Sequence, residues 1–223
     1  MATIKKKDFI QVGYTGKFKE DGTVFDTTSE DIAKSNNLHD TAMKYGDVVI
    51  CLGEGQILAG LEEQLEGKEV GKEFEVELSA ENAFGKKDAK MIKLVPTNAF
   101  RKEKIQAVPG LQVNMDGMVG TIKTVTGGRT LVDFNHPLSG KDVVYTVKIT
   151  KVITDTKEKV ESFLKMSLNT KDVKAEIEGD KAKIEFKQEM PAEMNKVIED
   201  KLKEIVPEIK NIEFVKEKST KTA

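Results

Sequence analysis

Few side chains in this 223-residue chain are suited to covalent, metal or redox chemistry. Cys51 is the single cysteine, so no intramolecular disulfide can form. Flanked by Ile50 and Leu52, with no histidine nearby in sequence, it reads as a small buried hydrophobe rather than a nucleophile. The only histidines are His39 and His136, and this scarcity of His and Cys argues against a metal chaperone. What remains is a carboxylate and apolar surface. Asp26 lies between "TVF" and "TTSE", where an aspartate ordinarily makes a turn or caps a helix. The stretch "GQILAGLEEQLEGKEVG", residues 55–71, sets Ile57, Leu58 and Leu61 at the start of a short helix straight after a glycine loop. Such an apolar helix start builds either core or the wall of a pocket that excludes water.

Bulk properties narrow the classes further. With 36 basic and 38 acidic residues the net charge is −2, which gives no pull towards nucleic acid or anionic lipid. The opening "MATIKKKDFI" lacks the apolar run of a signal peptide, and nowhere do about 18 apolar residues follow one another. The chain therefore reads as cytoplasmic, without nucleic-acid or membrane partners. Its length favours two or three small domains over one.

The elements that must position Asp26 and the apolar helix start are legible from periodicity. "DFIQVGYTGKF" alternates through Ile10, Val12 and Tyr14, and Asp21-Gly22 turns it into a return strand "TVF". Residues 27–47 are polar and rich in turn formers, a surface excursion with a short helix. "VVICLGEG" is a strand, and Ile57, Leu58, Leu61 and Leu65 recur at helical spacing before Gly67 and Gly71. "EFEVELSAENAFG" and "VVYTVKITKVI" are strands, the second alternating through Val143, Tyr145, Val147 and Ile149. Between them about fifty residues carry their own hairpin turns, Asp116-Gly117 and Gly127-Gly128, as a small β insert in a surface loop. After Val152 the order α-β-β-α-β predicts a compact α+β domain, followed by a disordered tail "KEKSTKTA".

Taken together, "YTGKFKEDGTVFDTT", "LGEGQILAGLEEQLEGKEVG", "ENAFG" and "HPLSGKDVVYTVKI" resemble the FKBP-type peptidyl-prolyl cis-trans isomerases. Four separated motifs occur in the family's order. The insert looks like that of the SlyD subgroup, whose flap carries a chaperone domain, and the C-terminal segment resembles the long archaeal members, without a His-rich tail. The resemblance implies an α+β fold: an FKBP-like antiparallel sheet wrapped on a short helix, with an inserted small β domain and a C-terminal α+β domain. The implied boundaries are 1–87 with 137–153 for the isomerase domain, 88–136 for the insert and 154–223 for the C-terminal domain, which could dimerise.

The implied activity is isomerisation of X-Pro bonds in unfolded or proline-containing polypeptides, with no nucleophile, general base or cofactor. Tyr14, Phe25, Ile57, Leu58, Leu61, Phe84 and Tyr145 match family pocket positions, as do Val48 and Ile50. Asp26 matches the acidic residue beside the substrate carbonyl, hydrogen-bonded to Tyr14, and Leu58 would offer its backbone N–H. On residue types alone, aromatic and aliphatic side chains alternating on strands ordinarily form core. Three departures bear on the pocket. Leu61 and Val48 stand where relatives often carry aromatics, and Phe84 replaces a common Tyr, so an FK506-type macrolide is expected to bind weakly. In the insert, Met91, Ile92, Leu94, Val95, Met115, Met118 and Val119 either fill its small core or bind unfolded segments; the SlyD likeness points to binding. A second reading is a general holdase whose isomerase pocket is vestigial.

Overall fold

The computed structural model describes residues 3–170, 173–187 and 190–216. It divides into two units, Met1–Glu77 with Val144–Ala223, and Leu78–Val143. In chain order the elements are β1 (Phe9–Phe18), β2 (Val24–Thr27), α1 (Glu30–Ser35), β3 (Val48–Cys51), α2 (Ala59–Leu65) and β4 (Glu73–Leu78). The second unit then supplies β5 (Ile92–Pro96), α3 (Thr97–Lys102), β6 (Gln112–Met115), β7 (Met118–Thr126) and β8 (Arg129–Asp133). The chain continues through β9 (Val143–Val152), α4 (Thr156–Ser167), β10 (Val173–Glu178), β11 (Lys181–Phe186), α5 (Ala192–Ile205) and β12 (Asn211–Lys216).

The first sheet has the order β2-β1-β9-β4, with β3 also pairing β1. Asp21 and Gly22 close the β1–β2 hairpin as the sequence predicts: Gly22 sits at φ 71°, and the Asp21 carboxylate accepts the Thr23 N–H at 2.9 Å. Pairing runs Gly16↔Asp26 and then Lys17↔Val24, so Phe25 is the extra residue of a β-bulge. Ser29, not Asp26, caps α1, accepting the Ile32 N–H. That leaves the Asp26 carboxylate free for other work.

Alternation separates the two faces of β1 and β3. Phe9, Val49 and Cys51 join an apolar cluster with Val160, Phe163 and Leu164 of α4, Ile198, Leu202 and Ile205 of α5, and Ala175 and Ile184 of β10 and β11. Ile10, Val12 and Ile50, all at most 1% exposed, therefore face the other way, on the side of Tyr14. The segment after Val152 thus shares one core with β1 and β3. Within it β10 and β11 are antiparallel across Gly179, while β12 runs parallel to β11, a pairing that needs the α5 crossover between them. Of the tail expected to be disordered, Lys216 ends β12 and residues 217–223 lie outside the described residues.

In the second unit β5-β8-β7-β6 form an antiparallel sheet around Phe100, Val113, Ile122, Val132 and Phe134. Both predicted hairpin turns are present, with positive φ at Asp116, Gly117, Gly127 and Gly128. Asn135 ties the entering and leaving chains: its Oδ1 accepts the Asp88 N–H at 2.8 Å and its Nδ2 donates to the Asp88 carbonyl at 3.0 Å. Asn135 also donates to Asp133, 6% exposed. Burial opposes ionisation of Asp133, but these hydrogen bonds and Lys87 and Lys123 hold its carboxyl below the usual range. No described helix is long and apolar enough to cross a membrane.

Candidate active site

Tyr14, Phe25, Asp26 and Tyr145 come together from β1, β2 and β9. The Asp26 carboxylate faces the Tyr14 hydroxyl and the Thr27 N–H, both of which favour its charged form. The Tyr145 ring lies edge-on to Tyr14 and to Phe25, with centroids 5.9 and 5.8 Å apart, and Phe25 leans on Phe18 at 4.9 Å. Such edge-to-face pairs fix ring planes as well as burying area. Gly16 makes the arrangement possible. A Cβ there would meet Phe25 Cζ and Tyr145 Cε1, each at 2.8 Å, so both rings occupy space that any other residue would fill. The bulge at Phe25 turns that ring inward beside Asp26, where regular alternation would send it to the opposite face.

The electrostatics follow from this enclosure. Burial raises the Asp26 pKa above the usual carboxylate value, and the hydrogen bonds from Tyr14 and Thr27 offset it only in part. Tyr14 and Tyr145 are both raised, by burial first and then by the neighbouring Asp26 charge. Neither phenol is a base in this setting. The Cys51 thiol is fully buried and pushed up to about 12 by burial and then by Glu54, which removes it as a nucleophile. Among the described residues no three His, Cys, Asp or Glu side chains gather as a metal site requires.

Ile57 and Leu58 follow β3 through a glycine turn and stand half-buried at the mouth of α2. Leu58 is the N-cap residue, its carbonyl accepting the N–H groups of Leu61 and Glu62 at 2.9 Å. Its own N–H has no acceptor within the helix. Leu61 is 3% exposed and Ile50 0%, so both are core residues, while Val48 keeps partial exposure. Phe84 belongs to the second unit, where it stacks on His136 with centroids 5.1 Å apart.

A groove of about 740 Å³ on the first unit borders Tyr14 but is otherwise lined by different residues. Thr15, Lys17, Thr146 and Lys148 line it, and these alternate along β1 and β9 with Tyr14 and Tyr145. Most of its strand-borne lining therefore lies on the opposite face of the sheet, with Tyr14 also touching it. Thr28, Glu30 and Tyr45 of the polar excursion wall it, and its lining is mixed, with Val24 and Ile32 beside charged and hydroxyl side chains.

The seven apolar positions of the insert divide by burial. Met91, Val95, Met115 and Met118 are half-buried against the insert's own core. Leu94 and Val119 are 54% and 60% exposed, and Ile92 keeps partial exposure. Register places Leu94 opposite Leu131 and Ile92 opposite Asp133 on the face turned away from Val132.

Sequence reasoning missed Gly16, Gln56 and Glu62. The Glu62 carboxylate, 9% exposed as a residue, accepts N–H groups from Gly53, Glu54 and Gly55 at 2.8, 3.2 and 3.3 Å. Gln56 Oε1 accepts the Cys51 N–H at 2.8 Å. Two glycines around one acidic residue, followed by a glutamate in a helix's first turn, is the pattern of a carboxylate cradled by loop amides.

Tyr14, Phe25, Asp26 and Tyr145 thus set a partly buried carboxylate among aromatic rings. A family model described as "FKBP26, IF domain" matches residues 93–138. A short-type peptidyl-prolyl cis-trans isomerase of Methanocaldococcus jannaschii is 32% identical over 149 residues, covering 67% of this chain and 94% of the relative. SlyD-type FKBP isomerases of Vibrio cholerae and Escherichia coli K12 are 30% and 32% identical, and the matches span 65% and 57% of their lengths. The chain belongs to the FKBP-type peptidyl-prolyl cis-trans isomerases and is SlyD-like.

Proposed function

We propose that the Tyr14–Phe25–Asp26–Tyr145 corner, with Ile57 and Leu58 at its lip, is where this peptidyl-prolyl isomerase turns X-Pro bonds during protein folding. Amide resonance opposes that rotation with a barrier of ~18–20 kcal/mol. The planar amide carries separated charge, which a dry apolar site solvates poorly. The twisted transition state has lost that separation, so water exclusion lowers its relative cost. The observation that carries the reading is the partly buried Asp26 held by the Tyr14 hydroxyl within rings closed over Gly16. Its carboxylate is fixed in direction at the edge of an apolar wall, where a substrate's carbonyl carbon or polarised C–H would meet it. The Leu58 N–H would hold a substrate carbonyl. Tyr145, 4% exposed, sets the ring geometry from behind.

The insert, taken as residues 88–136, holds the unfolded client through Leu94, Val119 and Ile92, with the adaptable Met91, Val95, Met115 and Met118 beneath them. Holding a client raises the effective concentration of its prolines at the isomerase corner. The sheet made by β1, β2, β3, β4 and β9 wraps α2 as the FKBP-like domain, residues 1–87 with 137–153. Residues 154–223 form a C-terminal domain docked on it. The exposed Met194 and Val197, one turn apart on α5 at 46% and 68%, are the surface through which a second copy would pair. The lone unpaired cysteine fits a cytoplasmic setting. An FK506-type macrolide would bind weakly, because Leu61 and Val48 offer less stacking area than aromatics.

The test is protease-free NMR exchange of an X-Pro peptide. The parent accelerates exchange, while Phe25→Ala and Asp26→Ala lose ~10- to 100-fold in kcat/KM. A parent with no catalysis, yet able to suppress aggregation of an unfolded client, would establish a holdase in its place.

A further inference from the structure

The loop that delivers Ile57 and Leu58 is held from two sides, and one of them is the C-terminal segment. Glu62 cradles the backbone of residues 53–55 from within the isomerase fold. From outside, Lys201 of α5 meets Glu54 Oε2 at 2.7 Å, and the Glu54 side chain is only 7% exposed. Lys201 also contacts Glu204 at 3.0 Å, and Glu204 in turn holds Lys7 at 3.1 Å. Two residues beyond Glu54, Gln56 Nε2 donates to Ser167 Oγ at the end of α4 at 3.4 Å. Gly53 and Gly55 on either side of Glu54 have φ of 94° and 64°. With left-handed glycines at both ends, the loop owes its shape to these side-chain ties rather than to local conformational preference.

We propose that Lys201 and Ser167 are positioning residues for the isomerase: by clamping Glu54 and Gln56 they set the lip formed by Ile57 and Leu58. The inference rests on the assignment of that lip to X-Pro isomerisation. Its physical basis is the asymmetry of a covered ion pair. Glu54 is nearly withdrawn from water, so removing its cation leaves a buried carboxylate unpaired. The loop then opens to hydrate it, and Ile57 and Leu58 move with the loop. Catalysis by an apolar site is sensitive to such displacement, because shifts of about 1 Å far from the chemistry are felt in kcat. The C-terminal segment therefore acts on catalysis with a short peptide, independently of any client held elsewhere.

The experiment is a double-substitution cycle on the full chain, read as kcat and KM for a short X-Pro peptide by NMR exchange, with thermal unfolding followed in parallel. Lys201→Met is expected to lower kcat/KM roughly three- to tenfold, mainly in kcat. Lys201→Arg is expected to retain most of the parent value. Glu54→Gln with Lys201→Met is expected to recover most of the loss, because no unpaired charge remains. Lys203→Met, which breaks the exposed pair with Glu199 on the same helix, serves as the control and leaves kcat/KM unchanged.

Two outcomes overturn the proposal. One is kcat/KM for Lys201→Met within about 1.5-fold of the parent, even with a lowered Tm, since that is the signature of a purely structural tie. The other is a double variant no better than Lys201→Met alone. A parent that does not accelerate exchange at all would instead remove the isomerase assignment of the corner, a failure read from the parent before any variant is compared.

Discussion

Two sheets in this chain use the same device for different ends. In the first, Gly16 leaves room for the Phe25 and Tyr145 rings; in the second, a Cβ on Gly120 would meet the Phe134 ring and Val132 Cγ1, each at 2.7 Å. Both glycines let an aromatic ring lie directly on a strand. Over Gly120 the ring belongs to a closed apolar core with Val113, Ile122 and Val132. Over Gly16 the rings enclose a carboxylate and two phenols, groups that cost free energy to cover. A glycine under a ring thus reports close packing in either place. What distinguishes the first is the partly buried carboxylate held within the rings.

The comparison breaks most visibly at Gly16. Gly16→Ala drives a methyl into two rings that hold each other at right angles, so neither has a free direction of retreat. The expected cost is ~1–3 kcal/mol in stability, with loss of most of the catalysis of X-Pro exchange because the Asp26 wall is displaced. Chemical denaturation beside NMR exchange measures both, and unchanged exchange would separate the rings from the function. Gly120→Ala should cost a similar ~1–3 kcal/mol, felt within the insert alone. Amide exchange of β7 and β8 would quicken while short-peptide isomerisation stays near the parent value, and a parallel loss of isomerisation would show the two sheets to be coupled.

Ionisation sharpens the contrast more gently. Burial gives folded Asp26 a higher pKa than the unfolded chain, so folding favours its protonated form. The associated stability is complete below the ordinary carboxylate pKa and is lost as pH rises through the raised one. Asp26→Asn keeps the shape without the charge. Relative to the parent, its denaturation midpoint should therefore rise as pH climbs through that window and level off above it. The parent's isomerase rate should fall on acidification at a pH above the ordinary carboxylate value. A flat difference between the two proteins would show that Asp26 ionises as if in water.

Much of this is legible in the sequence. Alternation through Ile10, Val12 and Tyr14, the turns at Asp21-Gly22, Asp116-Gly117 and Gly127-Gly128, and the α-β-β-α-β order after Val152 are local patterns, and the fold keeps them. Asp26 is the instructive case. Local rules made it a cap or a turn residue, and only the bulge at Phe25 and the Ser29 cap free it to face Tyr14. Gly16 and the Glu62 cradle were illegible for the same reason: their meaning depends on β9 and on loop amides that no short-range pattern brings near. Within the insert the apolar residues carried no mark of which side they face until register put Val132 inward and Leu94 outward.

The smallest expected effect tests that last distinction. Leu94→Asp and Val119→Asp change side chains more than half exposed on a face the insert does not use for its own packing. Each should alter stability by no more than ~0.5 kcal/mol. Met118→Asp would place a charge against the insert's apolar core and should cost several times more. If Leu94 and Val119 hold clients, the two mild substitutions should weaken suppression of aggregation of an unfolded protein and slow its proline-limited refolding, leaving short-peptide isomerisation intact. The reverse pattern, destabilisation without loss of client holding, would make this face part of the insert's packing and return the binding role to its methionines.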